Sequence, residues 1–367
     1  MRNLFLILSC LFICVKASGQ GCCSGGSGSP IAGGGSQGVL ALKQMELATS
    51  LQYINDNQFK TQDRDTLPLF DNYNSNYLYS KVAYGVSKDL TFSVEGGYFF
   101  NKTQIGLHAS DTISSQGWGD LILFPRCNVY SNSNTKRKVE VTLGMGYKIP
   151  IGSHTDSTLV FTNPFNGEQF FTTSPPLVQP TNGSHDFIFY GFFLRGFPKH
   201  NFRLFANATY IMKGWNSLGE KFGNYKGIGI FASKTFFHKA GVTIQLKSEI
   251  IDSMRSAKNT DLLALYNVDT KSTGSMKLML SPQVNYSFGK LTVFGLYELP
   301  LYENVRGTQV VTGTQFTVGI SYRFFTTKNP VCDDALFKYQ CPMHCEGSGS
   351  NQPGKCPVCG MELKKVN

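Results

Sequence analysis

From Gln315 to Phe324 the chain alternates without a break, with Phe316, Val318, Ile320, Tyr322 and Phe324 on one parity and Gln315, Thr317, Gly319, Ser321 and Arg323 on the other. Period-two alternation of this kind is what a β-strand with one apolar and one polar face requires, and no helix can use it. The pattern recurs at residues 90–98, 139–149 and 242–250. About twelve candidate strands follow, near residues 39–54, 76–87, 90–100, 118–130, 138–150, 186–196, 201–212, 225–237, 240–251, 275–288, 291–302 and 312–325. Composition agrees: 16% charged residues, 13% aromatics and 38 glycines suit many strands with tight turns and exclude a helical bundle.

The connections between these strands alternate in length. They are long at 55–75, 101–117, 151–185 and 252–274, intermediate at 213–224, and short at Ser87-Lys88-Asp89, 131–137, 197–200, His238-Lys239 and Gly289-Lys290. Long loops on one rim and short turns on the other are the pattern of a transmembrane barrel whose short side faces the periplasm. No stretch of 18 apolar residues follows residue 19, so no spanning helix is expected. A barrel, whose lipid-facing and lumen-facing residues alternate, hides its membrane signal from that test. We therefore expect an all-β fold, an antiparallel transmembrane β-barrel of about 12 strands over residues 39–325, with both termini periplasmic. A secreted β-sandwich is the soluble alternative.

If the apolar parity faces lipid, the lumen receives Lys81, Glu95, Asp120, Arg126, Glu140, Lys148, Arg203, Lys247, Glu249, Lys277, Glu298 and Arg323. Two readings stand: a polar pathway with charge rings, or a salt-bridged filling of a narrow barrel. The modest interior of twelve strands favours the second.

Arg2, the apolar run Leu4 to Val15 and the small residues Ala17 and Gly19 read as an export signal over residues 1–19. Residues 20–38 form a Gly/Ser-rich periplasmic linker that opens on Cys22 and Cys23, and residues 326–338 form a second linker. Of ten cysteines, Cys10 and Cys14 leave with the signal and Cys127 sits on an apolar strand face. The rest crowd the two ends, which suggests metal or redox work rather than stapling. The net charge of +10 is scattered, with no basic stripe, so nucleic acid is set aside.

The tail, residues 339–367, carries two knuckles. Cys341 and His344 face Cys356 and Cys359 across a loop, each pair with a two-residue gap that lets one turn present both side chains to one ion. Met343 and Met361 add thioethers, and soft sulfur donors favour Cu(I) or Ag(I) as well as Zn(II). Cys345, next to His344, is a further thiolate candidate, and Cys22 with Cys23 form a possible second soft-metal site. Disulfide pairing is the alternative for all of these thiols, although it explains neither His344 nor the methionines. His108, His154, His185, His200 and His238 lie mostly in loops or turns with no ligand spacing between them, and no nucleophile elbow, phosphate loop or paired carboxylate motif is present. Enzymatic activity is not expected.

Two resemblances sharpen these expectations. Tyr339 to Leu363 contains Cys-Pro-Met-His and then Pro-Gly-Lys-Cys-Pro-Val-Cys-Gly-Met-Glu-Leu, which resembles the small heavy-metal-binding domain of copper and silver efflux proteins. That resemblance implies Cys341, Met343, His344, Cys356, Cys359 and Met361 as candidate ligands, with Cys345 where the family usually has Pro. In the barrel region, Gly117-Trp118-Gly119-Asp120, Gly146 to Gly152 and Gln179-Pro180-Thr181-Asn182-Gly183-Ser184 resemble the outer-membrane barrels grouped with the meta-pathway phenol-degradation transporters. Together they imply a Gram-negative outer-membrane protein in contact with lipid, soft metal ions and periplasmic efflux components, acting in heavy-metal binding, efflux or homeostasis. The alternatives are a passive pore for small or apolar solutes with the tail as metal sink or sensor, or a soluble periplasmic binding module.

Overall fold

The computed structural model describes residues 38–326, apart from positions 110, 134–137, 198–199, 238, 259 and 267, together with 339–341, 350, 352–355 and 361–365. Twelve long strands make the wall: β1 (Gln44–Asp56), β2 (Asn72–Gly85), β3 (Leu90–Ile105), β4 (Asp120–Ser133), β5 (Lys138–Pro150), β6 (Asp186–Phe197), β7 (Phe202–Met212), β8 (Tyr225–Phe236), β9 (Ala240–Ile251), β10 (Ser275–Phe288), β11 (Leu291–Val310) and β12 (Thr314–Phe325). Each pairs antiparallel with its neighbour in sequence. The last returns to the first, from Gln44 opposite Phe325 to Asn55 opposite Thr314, and closes the barrel.

Side-chain burial alternates along the strands, and its sense is inverted relative to a soluble protein. On the outside, Ile228 and Ile230 of β8 and Ile244 and Leu246 of β9 are exposed, while Thr243 and Glu249 on the inward parity of β9 are buried. The solvent that fits an apolar exterior around a polar interior is lipid, and closure leaves no strand edge unpaired against it. A sandwich would bury its apolar faces between two sheets. Here they face out. Near the rim where the chain's ends emerge, Phe197, Phe202, Phe236, Tyr286, Phe288, Tyr322 and Phe324 fall on outward parities within the last few residues of their strands, with Tyr286 and Phe288 rings 4.6 Å apart. Such aromatics form the interfacial girdle of a membrane barrel.

The same rim carries connections of two to four residues, at 86–89, 134–137, 198–201, 237–239 and 289–290. The opposite rim carries long loops, including 151–185 and 252–274. Strand boundaries differ from the sequence expectation in two instructive places. β1 begins at Gln44 rather than residue 39, because Lys43 takes φ 58° and the chain turns inward there. β11 runs on to Val310, past Tyr302, because its far end folds over the loop-side mouth and pairs with residues 59–62.

An outward charge tests the assignment of faces. Ile230→Arg, near the middle of β8, should weaken folding into phospholipid bilayers by about 2–4 kcal/mol in a denaturant titration. Asn285→Arg, on the inner face of β10, should stay within about 0.5 kcal/mol of the parent.

Candidate functional site

The strand parities point Lys81, Glu95, Asp120, Arg126, Glu140, Lys148, Arg203, Lys247, Glu249, Lys277, Glu298 and Arg323 into the lumen. Eight of them are deeply buried, Lys247 and Glu140 are partly buried, and Arg203 and Arg323 reach water near the short-turn rim. Most are paired across neighbouring strands. Lys247 bridges Glu298 at 2.7 Å and Glu249 at 3.1 Å, and the Tyr225 hydroxyl donates to Glu249 at 2.7 Å. Lys277 meets Glu303 at 2.9 Å, and Glu46 receives Lys81 at 3.3 Å and Arg323 at 3.1 Å. Glu95 accepts from Tyr79 at 2.5 Å and from Ser93 at 2.7 Å. The charges are therefore carried as neutralised clusters rather than as a ring of one sign.

The densest cluster lies at the loop-side ends of four successive strands. Lys148 of β5 sits 2.6 Å from Asp120 of β4 and 2.9 Å from Asp186 of β6, and Asp186 is 3.0 Å from Lys213, just past β7. All four side chains are at most 4% exposed. Onto this cluster folds the end of the long loop 151–185. Lys148 also donates to Asn182 Oδ1 at 2.7 Å, Lys102 donates to the Gln179 carbonyl at 2.6 Å, Asn216 donates to the Asn182 carbonyl at 3.1 Å, and Ser115 donates to the Val178 carbonyl. Gly183 takes φ 70° with the His154 ring against it, a place where a side chain would collide. Val178, Thr181, Asn182 and Ser184 end fully buried inside the loop-side mouth. Behind them Tyr77, Phe124 and Ile188, aromatic and apolar groups on the inward parity, pack the lumen. His154 and His185 are tied to Ser217 at 2.8 Å and Tyr147 at 2.9 Å.

Several of these residues escape a reading of parity alone. Lys102 faces in only because a bulge between Phe99 and Lys102 shifts the register. Asp186 opens a strand that is apolar on both parities, and Lys213 lies beyond its strand. Glu46 does lie on an inward position, and a systematic count of buried parities would have found it, whereas Glu303 faces in only after the register shift opposite Leu278 and Met279.

In the tail, Tyr339 pairs with Ser350 and with Lys365, Gln340 pairs with Lys364, and Lys355 pairs with Glu362. The Leu363 amide donates to the Gly354 carbonyl at 2.8 Å, tightening that second pairing. Cys341 is buried and Met361 is exposed. Met343, His344, Cys345, Cys356 and Cys359 lie outside the described residues, as do Cys22 and Cys23. Among the described residues no group of three or more His, Cys, Asp or Glu gathers around a common point. The donor set of the tail, thiolates with one imidazole and two thioethers, fits a soft cation.

Residues 338–366 match the family described as heavy metal binding domain. No curated protein matches the chain. Among solved structures, the chain is similar to an outer membrane channel from Pseudomonas putida F1, with 10% identity, 80% of this chain and 100% of that chain covered, and a TM-score of 0.60. It also aligns with the translocator domain of the autotransporter NalP from Neisseria meningitidis at 12% identity, over 78% of this chain and 90% of that one, with a TM-score of 0.39. A Pseudomonas aeruginosa FadL homologue aligns at 9% identity over 78% and 91%, with a TM-score of 0.38.

The buried Asp120, Lys148, Asp186 and Lys213 cluster gives a direct test. Lys148→Met leaves Asp120 without its cation and should destabilise the barrel by about 3–5 kcal/mol, because the loss of one partner strands a buried charge. Equilibrium unfolding in lipid or detergent measures it.

Proposed function

We propose that this protein is an outer-membrane β-barrel that handles soft metal ions, capturing them in the periplasm with its C-terminal domain. The single observation that carries the reading is the tail itself: residues 338–366 match a heavy-metal-binding domain. Phe325 ends at the short-turn rim, which in barrels of this kind faces the periplasm, and this supports a periplasmic place for the tail. In this reading Cys341, Cys356 and Cys359, with His344, Cys345, Met343 or Met361, hold one Cu(I), Ag(I) or Zn(II). Exchange among sulfur donors lets the ion pass to a periplasmic efflux partner or to the barrel mouth. The protein's work is binding and passage rather than catalysis.

Likeness in fold to an outer membrane channel favours a second reading, in which the barrel is a passive pore for small solutes and the tail a metal sink or sensor. Conductance that ignores added metal would support it.

The test uses the full chain, purified in detergent and kept reduced under anaerobic conditions. Titration with Cu(I) or Zn(II) should show one tightly bound ion per chain, lost in Cys356→Ser/Cys359→Ser, with affinity falling as the pH drops because protons compete for the thiolates. Absence of binding, or binding unchanged in the double variant, would sink the reading.

A further inference from the structure

At the loop-side rim the outward rows of β8 and β9 change from apolar to basic. Lys226, opposite Ile250 in the register, lies one outward step, about 7 Å, beyond Ile228, and the apolar band ends there. Asp252 neutralises Lys226 at 2.7 Å. Farther out, the chain between β7 and β8 and the chain between β9 and β10 each contribute a two-residue strand, Glu220–Lys221 and Arg255–Ser256. Their register sets Lys221 directly opposite Arg255. Residues so paired share a face with Cβ atoms about 5 Å apart, and like charges in that position repel. Among the described residues neither cation forms a salt bridge. Lys221 instead stands 6.0 Å from the centre of the Trp215 ring, which is 49% exposed. Arg306 reaches Ser253, two residues from Arg255, with a hydrogen bond of 3.0 Å and adds a third cation.

The pair is held on a firm base. The Glu220 amide donates to Asn216 Oδ1 at 2.9 Å, Asn216 Nδ2 donates to Glu220 Oε2 at 2.7 Å, and the Ala257 amide donates to the Gly219 carbonyl at 2.9 Å. Behind it Phe222, Met254, Leu262 and Val268 form a buried apolar cluster. With Glu220, Phe222 and Met254 buried on the inner face, Lys221 and Arg255 take the outer one. Two unneutralised cations fixed side by side repel in isolation and turn favourable once an anion with several oxygens bridges them. A phosphate has that form, since the Arg fork meets two of its oxygens and the Lys ammonium meets a third.

We propose that Lys221 and Arg255, flanked by Trp215 and Arg306, hold a phosphate of an outer-leaflet glycolipid. Barrels of this kind turn their long loops outward, so the patch stands where the lipid-facing band gives way to headgroups. A tryptophan is a common anchor at that level. The outer leaflet of an outer membrane is built of lipid A, a disaccharide that carries phosphates above its acyl chains. Such a lipid lays its chains on Ile228, Ile230, Ile244 and Leu246 while its phosphate meets the cations, and a free phosphate has only the second contact. That continuity with the apolar band selects the lipid. The inference is independent of what the tail binds.

The experiment titrates the full-length protein, purified in detergent and freed of lipid, with fluorescent lipid A bearing both phosphates and with the same lipid after dephosphorylation. The parent should bind the phosphorylated form at least about tenfold more tightly, as expected for two cations at a charged headgroup. Lys221→Gln/Arg255→Gln should abolish that preference. Arg195→Gln/Lys234→Gln, which removes two exposed outward cations at the short-turn rim, should keep it. Equal binding of the two lipids by the parent would overturn the proposal without recourse to any variant. A preference that survives Lys221→Gln/Arg255→Gln, or one lost equally in Arg195→Gln/Lys234→Gln, would do the same. So would displacement of the lipid by millimolar inorganic phosphate, since the site would then serve the free ion.

Discussion

Lipid offers no hydrogen bond to a peptide group, so a wall of strands can stand in a membrane only if its first and last members find each other. Here that single pairing, Gln44 to Asn55 against Phe325 to Thr314, joins residues 270 or so apart in the chain and turns an open sheet into a closed surface. The rest of the molecule depends on it. It fixes an inside and an outside, makes the alternation of every strand meaningful, and brings the two ends of the barrel domain to the same rim.

Once the inside is enclosed, its polar groups have little bulk water to turn to, and the structure answers by pairing them. Carboxylates and ammonium groups from adjacent strands meet at 2.6 to 3.3 Å in separate clusters spaced around the wall. Such pairs give little net stability relative to a well-packed apolar core, but each is costly to break once formed. They act as pegs. The peg formed by Lys148 and its neighbours also holds the end of the 151–185 loop, so barrel stability and the width of the loop-side mouth are set by the same few side chains.

The tail follows a different logic. Twenty-odd residues cannot bury enough apolar surface to fold strongly by themselves, and short ladders such as Lys355 with Glu362 are weak alone. A bound metal ion would supply the missing stability, since binding free energy in such domains is folding free energy.

The inward and outward faces of most strands were legible in the sequence because the side-chain period of a strand is two and survives any twist of the sheet; Gln315 to Phe324 displays both faces without help. The match of the tail to a heavy-metal-binding domain was legible for a similar local reason, the two-residue gaps between Cys341 and His344 and between Cys356 and Cys359. Lys102 was not legible, because a bulge changes parity without leaving a mark in composition. Nor was Asp186, which opens a strand apolar on both sides because its inner face packs against other side chains rather than water. The inward turn at Lys43 and the fold of Val178 to Ser184 into the mouth are decided by contacts with Gly85, Thr91, Lys102 and Lys148, residues that are distant in the chain and adjacent only after closure. Local periodicity therefore determined the wall, while what fills the lumen was decided by the tertiary structure, because a filling is defined by the surfaces that enclose it.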